Sequence, residues 1–284
     1  AGRKSFGPLD PEGEMNHYID FICPSCGAPL AREGASLRCG KGHSFDFAKE
    51  GYCNLLLVQQ KATANPGDNK EMVAARMRFL DRGHYLPVAQ KLKTWVEEAG
   101  PSRLLDAGCG EGYYVSELRE LEVEAVGLDI SKWAVRAAAK REPRASWVVA
   151  SNRQLPLSPG SMDLVLSLFG FPVWESFRKV LAAGGNVLLV DPGPEHLREL
   201  REVIYPVVKE TGAPPLPESG WACVKEERLR FRLNLESREE IQDLLAMTPH
   251  AYRLSPAGAA NLAKLGQLET DVDLLFRLVS PLPV

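Results

Sequence analysis

Residues 104–114 read Leu104-Leu105-Asp106-Ala107-Gly108-Cys109-Gly110-Glu111-Gly112-Tyr113-Tyr114, an apolar run that closes on a carboxylate, then three glycines at alternate positions, then the start of an amphipathic stretch. Glycines at such a strand-to-helix turn let the backbone approach a ligand at the strand's carboxyl end, because no side chain holds it off. The surrounding sequence repeats the alternation. Apolar runs predict strands at Arg103–Asp106, Glu124–Ile130, Ser146–Ala150, Met162–Leu168 and Asn186–Asp191, with helices between them at Tyr113–Leu121, Lys132–Lys140 and Trp174–Leu181. Apolar strands alternating with helices specify a doubly wound, mostly parallel α/β sheet covered on both faces. A helix over Glu195–Val208 and a proline-rich loop over Gly212–Gly220 follow. Val224–Leu235 and Glu269–Val279 then alternate in polarity, as antiparallel strands at a sheet edge do.

Asp106 decides which ligand suits the turn. A carboxylate there repels a pyrophosphate and attracts a cation. S-adenosylmethionine offers an ammonium and a sulfonium and carries no phosphate, so Gly108, Gly110 and Gly112 read as the turn of a Rossmann-like class I methyltransferase. Asp129 closes the second strand in AVGLDIS, placed to accept hydrogen bonds from both ribose hydroxyls. Two other readings of these residues stand beside it: a dinucleotide fold with an unusual loop, or Asp106 and Asp129 serving as local caps. Cys109 is a small filler, since no base has been placed next to it. Ala150-Ser151-Asn152 resembles the methyltransferase segment that meets adenine, with Ser151 where an acid is usual and Asn152 following. Phe169-Gly170-Phe171-Pro172 lies at the mouth where a target base would enter, its rings stacking on that base or packing in the core.

A second constellation lies upstream. Cys23, Cys26, Cys39 and His43 are spaced C-x2-C-x12-C-x3-H. Two short knuckles bring two ligands each to one ion, and three thiolates with an imidazole suit tetrahedral zinc. With four protein ligands no position is left for a reactive water, which makes the metal structural. So short a module has little core, so metal binding supplies much of its folding energy. A redox dithiol is the alternative, but it belongs beside a βαβ pattern, and here a glycine-rich hairpin follows. Cys53, Cys109 and Cys223 read as isolated packing residues.

The 284 residues are 45% hydrophobic and 25% charged, ordinary for a globular chain and far from whole-chain disorder. No apolar run approaches a membrane span and the N-terminus lacks the apolar core of a signal peptide, which points to a soluble, cytoplasmic protein. Net charge is −3, but residues 21–93 carry +5 and residues 94–284 carry −6. A local positive field attracts phosphates even when the total is acidic. The expected organisation is a disordered or cloning-derived tail over 1–20, with Met15 a candidate native start, and a zinc-binding RNA-recognition module over 21–58. A connector and helix over 59–84 and the donor-binding domain over 85–284 complete it. In that connector, Asp68 and Glu71 are spaced as a capping box, and a second helix is expected from Pro87.

Together with the zinc knuckles, the stretches Phe45–Leu56, Pro66–Tyr85, Leu104–Tyr114, Gly127–Arg141, Asp191–Leu197 and Met247–Arg253 resemble the RlmA (RrmA) family of 23S ribosomal RNA guanine-N1 methyltransferases. The resemblance runs from Phe21 to about Arg253. It implies a zinc module that helps recognise an rRNA hairpin, in free RNA or a ribosomal precursor, and a Rossmann-like domain that methylates guanine N1. It also implies donor contacts from Tyr85, Gly110, Glu111 and His196. Residues 167–172 and 182–185 depart from the family's pattern, the first in a tyrosine-alanine-proline segment and the second in a proline before two glycines. A homodimer would let two zinc modules grip one RNA.

Guanine N1 carries a proton that must leave before or during attack, which calls for a general base or a donor that stabilises the enolate. Asp191, at the end of the fifth strand, is the first candidate, with His84 and His250 behind it; an ordinary strand-end carboxylate is the competing reading. A small-molecule methyltransferase would share the donor site without needing the basic zinc module and connector, and a noncatalytic RNA-binding protein would not need the donor residues intact. The zinc reading carries one expectation: Cys26→Ser loses metal and RNA affinity and leaves donor binding largely unchanged.

Overall fold

The computed structural model describes residues 20–60, 63, 66–210 and 212–283. The expected tail and Met15 lie outside these, as do four residues of the connector. The chain opens with a three-stranded antiparallel sheet, β1 (Leu30–Glu33), β2 (Ser36–Cys39) and β3 (Ser44–Asp46), the hairpin expected after the first knuckle. β4 (Cys53–Asn54) then leaves that module and joins the main sheet. Helices α1 (Lys70–Asp81) and α2 (Leu86–Ala99) lead into the alternation β5 (Arg103–Ala107), α3 (Tyr113–Glu117), β6 (Glu124–Asp129), α4 (Lys132–Arg141), β7 (Ser146–Val149), β8 (Met162–Leu168), α5 (Trp174–Val180) and β9 (Leu181–Pro192). α6 (Arg198–Ile204), β10 (Trp221–Leu235), α7 (Arg238–Ala246), α8 (Pro256–Leu262) and β11 (Leu268–Pro281) complete it.

The eight strands lie in the order β10-β11-β9-β8-β5-β6-β7-β4. From β4 to β9 the pairings are parallel, while β11 runs antiparallel to β9 and β10 to β11. This is the doubly wound sheet with an antiparallel edge that the alternation predicts. Strand order reverses between β6 and β8 at β5, so the glycine turn that follows β5 opens at the crevice where such sheets bind ligands.

Two large cores cover the faces. Phe79, Leu92, Trp95 and Phe276 belong to one, under α1 and α2. The other joins Leu105, Val165 and Phe177 to Phe21, Leu37, Cys53 and Leu55 of the N-terminal module. The zinc-binding segment thus contributes side chains to the core of the main sheet.

Some local expectations shift. The N-cap of α1 is Asn69, whose Oδ1 accepts from Met72 N at 2.9 Å, so Asp68 and Glu71 form no capping box. Asp68 is instead drawn to Arg76, 2.6 Å away. Leu86 opens α2, with Pro87 in its first turn, where the missing N–H costs nothing. Cys53 and Cys109 are buried as expected, but Cys223 is exposed on β10, where the strand lies at the sheet edge.

Candidate functional site

Two knuckles place the four metal-ligand candidates. Gly27 N donates to Cys23 O at 2.8 Å, which closes the first, and Gly42 N to Cys39 O at 2.9 Å, which closes the second. The four ligand atoms all lie within 4.8 Å of one another. Cys26 Sγ and Cys39 Sγ are 3.8 Å apart, and His43 Nδ1 is 3.5 Å from Cys23 Sγ and 3.3 Å from Cys39 Sγ. A zinc–sulfur bond of about 2.3 Å gives a tetrahedron edges of roughly 3.8 Å, so the cluster already has the dimensions of a zinc shell. Burial pushes the Cys23 thiol up. At Cys39 burial is outweighed by the amides of Lys41 and His43 and by the His43 ring, and the thiol falls to about 6.

The donor turn is locked to β6. Gly108 N and Cys109 N both donate to Leu128 O, at 2.7 and 3.0 Å. Gly108, Gly110 and Gly112 all adopt positive φ, and a Cβ at Gly112 would stand 2.8 Å from Ala138 and from Trp147. Any other residue there would push α4 off the sheet.

Asp129 Oδ2 accepts from Gly110 N at 3.1 Å and Oδ1 from Ser131 N at 2.7 Å, so the carboxylate holds Ser131, the N-cap residue of α4, and the glycine turn together. Burial still raises its pKa, against those two amides. Asp106 is buried, and neither of its oxygens has a hydrogen-bond partner among the described residues. Burial, then the charges of Asp129 and Glu111, push it up to about 8. Glu111 is buried as well, with Oε1 unpartnered and its pKa raised by burial against the pull of Arg76.

Three carboxyls around one glycine turn are costly in isolation, since a buried polar group without a partner loses its hydration. The donor set fits a ligand that brings cations. Asn152, from the loop after β7, turns toward the same place: its Nδ2 lies 3.9 Å from where a Gly108 Cβ would stand, and its Oδ1 is buried and unpartnered. Ser151 lies in the same turn, where it bridges to Gln154. These atoms fit an adenosine donor held by ribose and base edges.

Tyr85 is buried among rings, its centroid 5.6 Å from Phe79, 6.1 Å from Phe169 and 6.2 Å from Phe231. Phe169 holds φ at +55°, a conformation that costs a non-glycine residue on the order of 1 kcal/mol. Phe171 beside it is 86% exposed. His196 is half-buried, its Nδ1 accepting from Asp273 N at 3.3 Å, and burial lowers it to about 4, so the ring is neutral. Its segment is held by Asp273, whose carboxylate accepts from Arg228, Arg230 and Glu195 N. Asp273 also explains Gly193, where a Cβ would stand 2.4 Å from Oδ2.

Asp191 lies level with Phe169, whose N–H donates to Val190 O at 2.9 Å. Its Oδ2 accepts from Arg277 at 2.7 Å, and both side chains are buried. Burial raises Asp191, opposed by Arg277. The other two base candidates stand elsewhere: His84 Nε2 faces Glu240 at 3.3 Å, and His250 Nδ1 meets Tyr205 Oη at 3.0 Å.

Sequence reasoning missed Arg76 and Arg277. Arg76 of α1 reaches within 3.4 Å of the Gly110 Cβ position and lies among Asp68, Glu111 and Asp129, the cation among these carboxyls. Arg277 carried a signal, being a charge inside the apolar run LLFRLV.

Comparison with known proteins covers both halves. The family description "RlmA, N-terminal" matches residues 21–64 and "Methyltransferase domain" matches residues 105–203. The 23S rRNA (guanine(748)-N(1))-methyltransferase of Streptomyces fradiae is 36% identical over 274 residues, 92% of this chain and 96% of the relative. A protein of Micromonospora griseorubida, provisionally named a 23S rRNA (guanine-N(1)-)-methyltransferase, is 33% identical over 92% of this chain and 97% of its own. A malonyl-[acyl-carrier protein] O-methyltransferase of Legionella pneumophila is 29% identical but covers only 50% of this chain. The similarity that spans the zinc cluster as well as the donor turn is therefore with the rRNA enzymes, and the chain belongs to the RlmA-type family of 23S rRNA (guanine-N1)-methyltransferases.

Proposed function

We propose that this protein transfers a methyl group from S-adenosylmethionine to N1 of a guanine in a 23S rRNA hairpin. The observation that carries the donor half is the buried, unpartnered Asp106 carboxylate beside the glycine turn. The substrate half rests on the end-to-end similarity to rRNA guanine-N1 methyltransferases, zinc module included. Its place of work is then the cytoplasm, on ribosomal RNA or its precursors. Among the described residues no helix is long and apolar enough to cross a membrane.

The donor supplies an electrophilic methyl on a sulfonium. Asp106 would take its ammonium end and Asp129 its ribose, with Gly108, Gly110 and Gly112 admitting the chain and Ser151 and Asn152 meeting the adenine. Tyr85, Glu111 and His196 would line the methionine side. Much of the rate would come from holding donor and acceptor in line.

The acceptor proton needs a destination. Asp191, with its pKa raised by burial, would accept it from N1, and Arg277 beside it would stabilise the charge that builds on O6. Phe171, exposed at the mouth, would stack on the base. Cys23, Cys26, Cys39 and His43 would hold a structural zinc ion.

The test is transfer of labelled methyl to unmodified 23S rRNA, with nucleoside analysis and mapping of the labelled base. One-methylguanosine at a single hairpin position is the expected product. Label on another atom, or on a small metabolite alone, refutes the substrate assignment.

A further inference from the structure

The loop that carries Ser151 and Asn152 is held at one end by the start of the zinc-binding module and at the other by the strand β4 that leaves it and the first residues of the connector. On one side Ile22 N donates to Pro156 O at 3.0 Å and Ser158 N to Asp20 O at 2.8 Å, with Phe21 bridging to Leu157. Cys23 follows directly in sequence, so the first metal ligand adjoins the residue that pins Pro156. On the other side Leu55 N donates to Val149 O at 2.9 Å, and Gln60 Nε2 donates to Gln154 Oε1 at 2.8 Å. Between these anchors lies the turn closed by Gln154 N and Ser151 O, with Asn152 facing the glycine turn.

We infer that the zinc module is a strut of the donor site: the bound metal fixes the 151–157 loop through Ile22 and Gln60, so that zinc occupancy and donor affinity are coupled. This rests on the reading of that loop as the adenine contact.

The physical ground is the small size of the module. Its strands have four, four and three residues, and its own buried side chains are shared with the main sheet. A module of that size depends on its metal for order. When the knuckles loosen, the backbone bonds at Ile22 and the side-chain bond at Gln60 loosen with them, and the donor must then pay to order the loop itself. The expectation from sequence, that Cys26→Ser leaves donor binding largely unchanged, is the opposite outcome. Gln60 is a positioning residue, since it acts through Gln154 and the backbone of the turn.

The experiment titrates S-adenosylhomocysteine calorimetrically into the zinc-loaded full chain, the chelator-stripped chain, the reloaded chain, and Gln60→Ala. Stripping should weaken binding about 5- to 150-fold, the usual span of coupling between two sites, and reloading should restore it. Gln60→Ala keeps all four metal ligands. It should retain full zinc content, weaken donor binding several-fold and raise the donor KM with kcat little changed, while Gln60→Asn, which keeps an amide donor, should be impaired less than Gln60→Ala. Amide hydrogen exchange adds a local readout: residues 151–157 should lose protection on stripping before β8 and β9 do. Equal affinity of the loaded chain and Gln60→Ala overturns the inference, even if the stripped chain unfolds. Failure of the zinc-loaded chain to bind at all instead overturns the donor reading.

Discussion

Donor binding should release a proton from Asp106. The carboxyl is buried, unpartnered and pushed up to about 8 by burial and then by Asp129 and Glu111, so near neutral pH it is mostly protonated in the donor-free protein. A cationic donor stabilises the ionised form. Apparent affinity is the intrinsic affinity scaled by the ionised fraction, which for a pKa near 8 rises from about 1% at pH 6 to about 24% at pH 7.5. The dissociation constant should therefore fall about fifteen- to twentyfold across that window, allowing for the roughly quarter to two-fifths of an ordinary α-amino group that is neutral by pH 7.5. His196, lowered to about 4, does not titrate there. Calorimetry at pH 7 in two buffers of different ionisation enthalpy should count close to one proton released per donor bound. Linkage gives a second readout. The folded protein holds a proton that the unfolded chain has lost above its ordinary carboxyl pKa. The Asp106 contribution to donor-free stability therefore falls as pH rises from about 4 to about 8, and saturating donor should offset the fall. Asp106→Asn should flatten the pH dependence and weaken binding at pH 7.5 by roughly 3- to 40-fold, the worth of a charge-assisted hydrogen bond scaled by the ionised fraction. A dissociation constant that changes less than twofold between pH 6 and 7.5, with no proton released, would refute the reasoning.

Asp191→Asn should lower the single-turnover methylation rate by about 10²–10⁴ while leaving donor affinity intact, as expected of a lost general base; an unchanged rate removes Asp191 from that role. Phe171→Ala should raise the KM for RNA by roughly 5- to 150-fold, the value of about 1–3 kcal/mol of stacking, without altering S-adenosylhomocysteine binding. Asp273→Asn removes the buried charge that Arg228 and Arg230 share and, since both arginines are about half exposed, should cost about 1–2 kcal/mol in urea denaturation. These arginines hold Asp273 well below the usual carboxylate range, so its stabilisation is present above about pH 4 and lost on acidification; a variant as stable as the parent at pH 7 counts against the network.

The parallel sheet was legible because its strands are apolar on both faces and its helices are not, a contrast that survives without tertiary information. Zinc spacing was legible for a related reason, since both knuckles are local turns of a few residues. What escaped depends on long-range placement. Gln60 and Gln154 are separated by 94 positions, and no pattern near either predicts their contact. Asp68 and Asn69 are both cap-type residues, and local rules alone could not tell that Arg76 would draw Asp68 away and leave the cap to Asn69. Cys223 looked like a packing residue because cysteine usually is, yet edge placement of β10 exposes it. Asp191 was chosen from its strand end, whereas its partner Arg277 came from a strand that runs back along β9 from far down the chain.

The charge distribution divides two tasks that net charge hides. The donor turn gathers Asp106, Glu111 and Asp129 where water is scarce, so their field acts at close range on a small cation and is little screened by salt. The excess of Lys and Arg over residues 21–93 stands mostly on the connector and on α1 and α2, residues 21–58 alone carrying +1, and where those side chains are exposed their field reaches a polyanion at longer range and weakens with ionic strength. Were the two mixed, further unpaired basic side chains near Asp106 would neutralise the attraction for a sulfonium, and an acidic excess over residues 21–93 would repel phosphate. Arg76 is the exception that fits the rule: it is paired with Asp68 and offsets part of the acid cluster without exposing a full charge. Salt should therefore weaken RNA binding steeply and donor binding little. The two slopes, measured on one preparation, separate the surface field from the buried one.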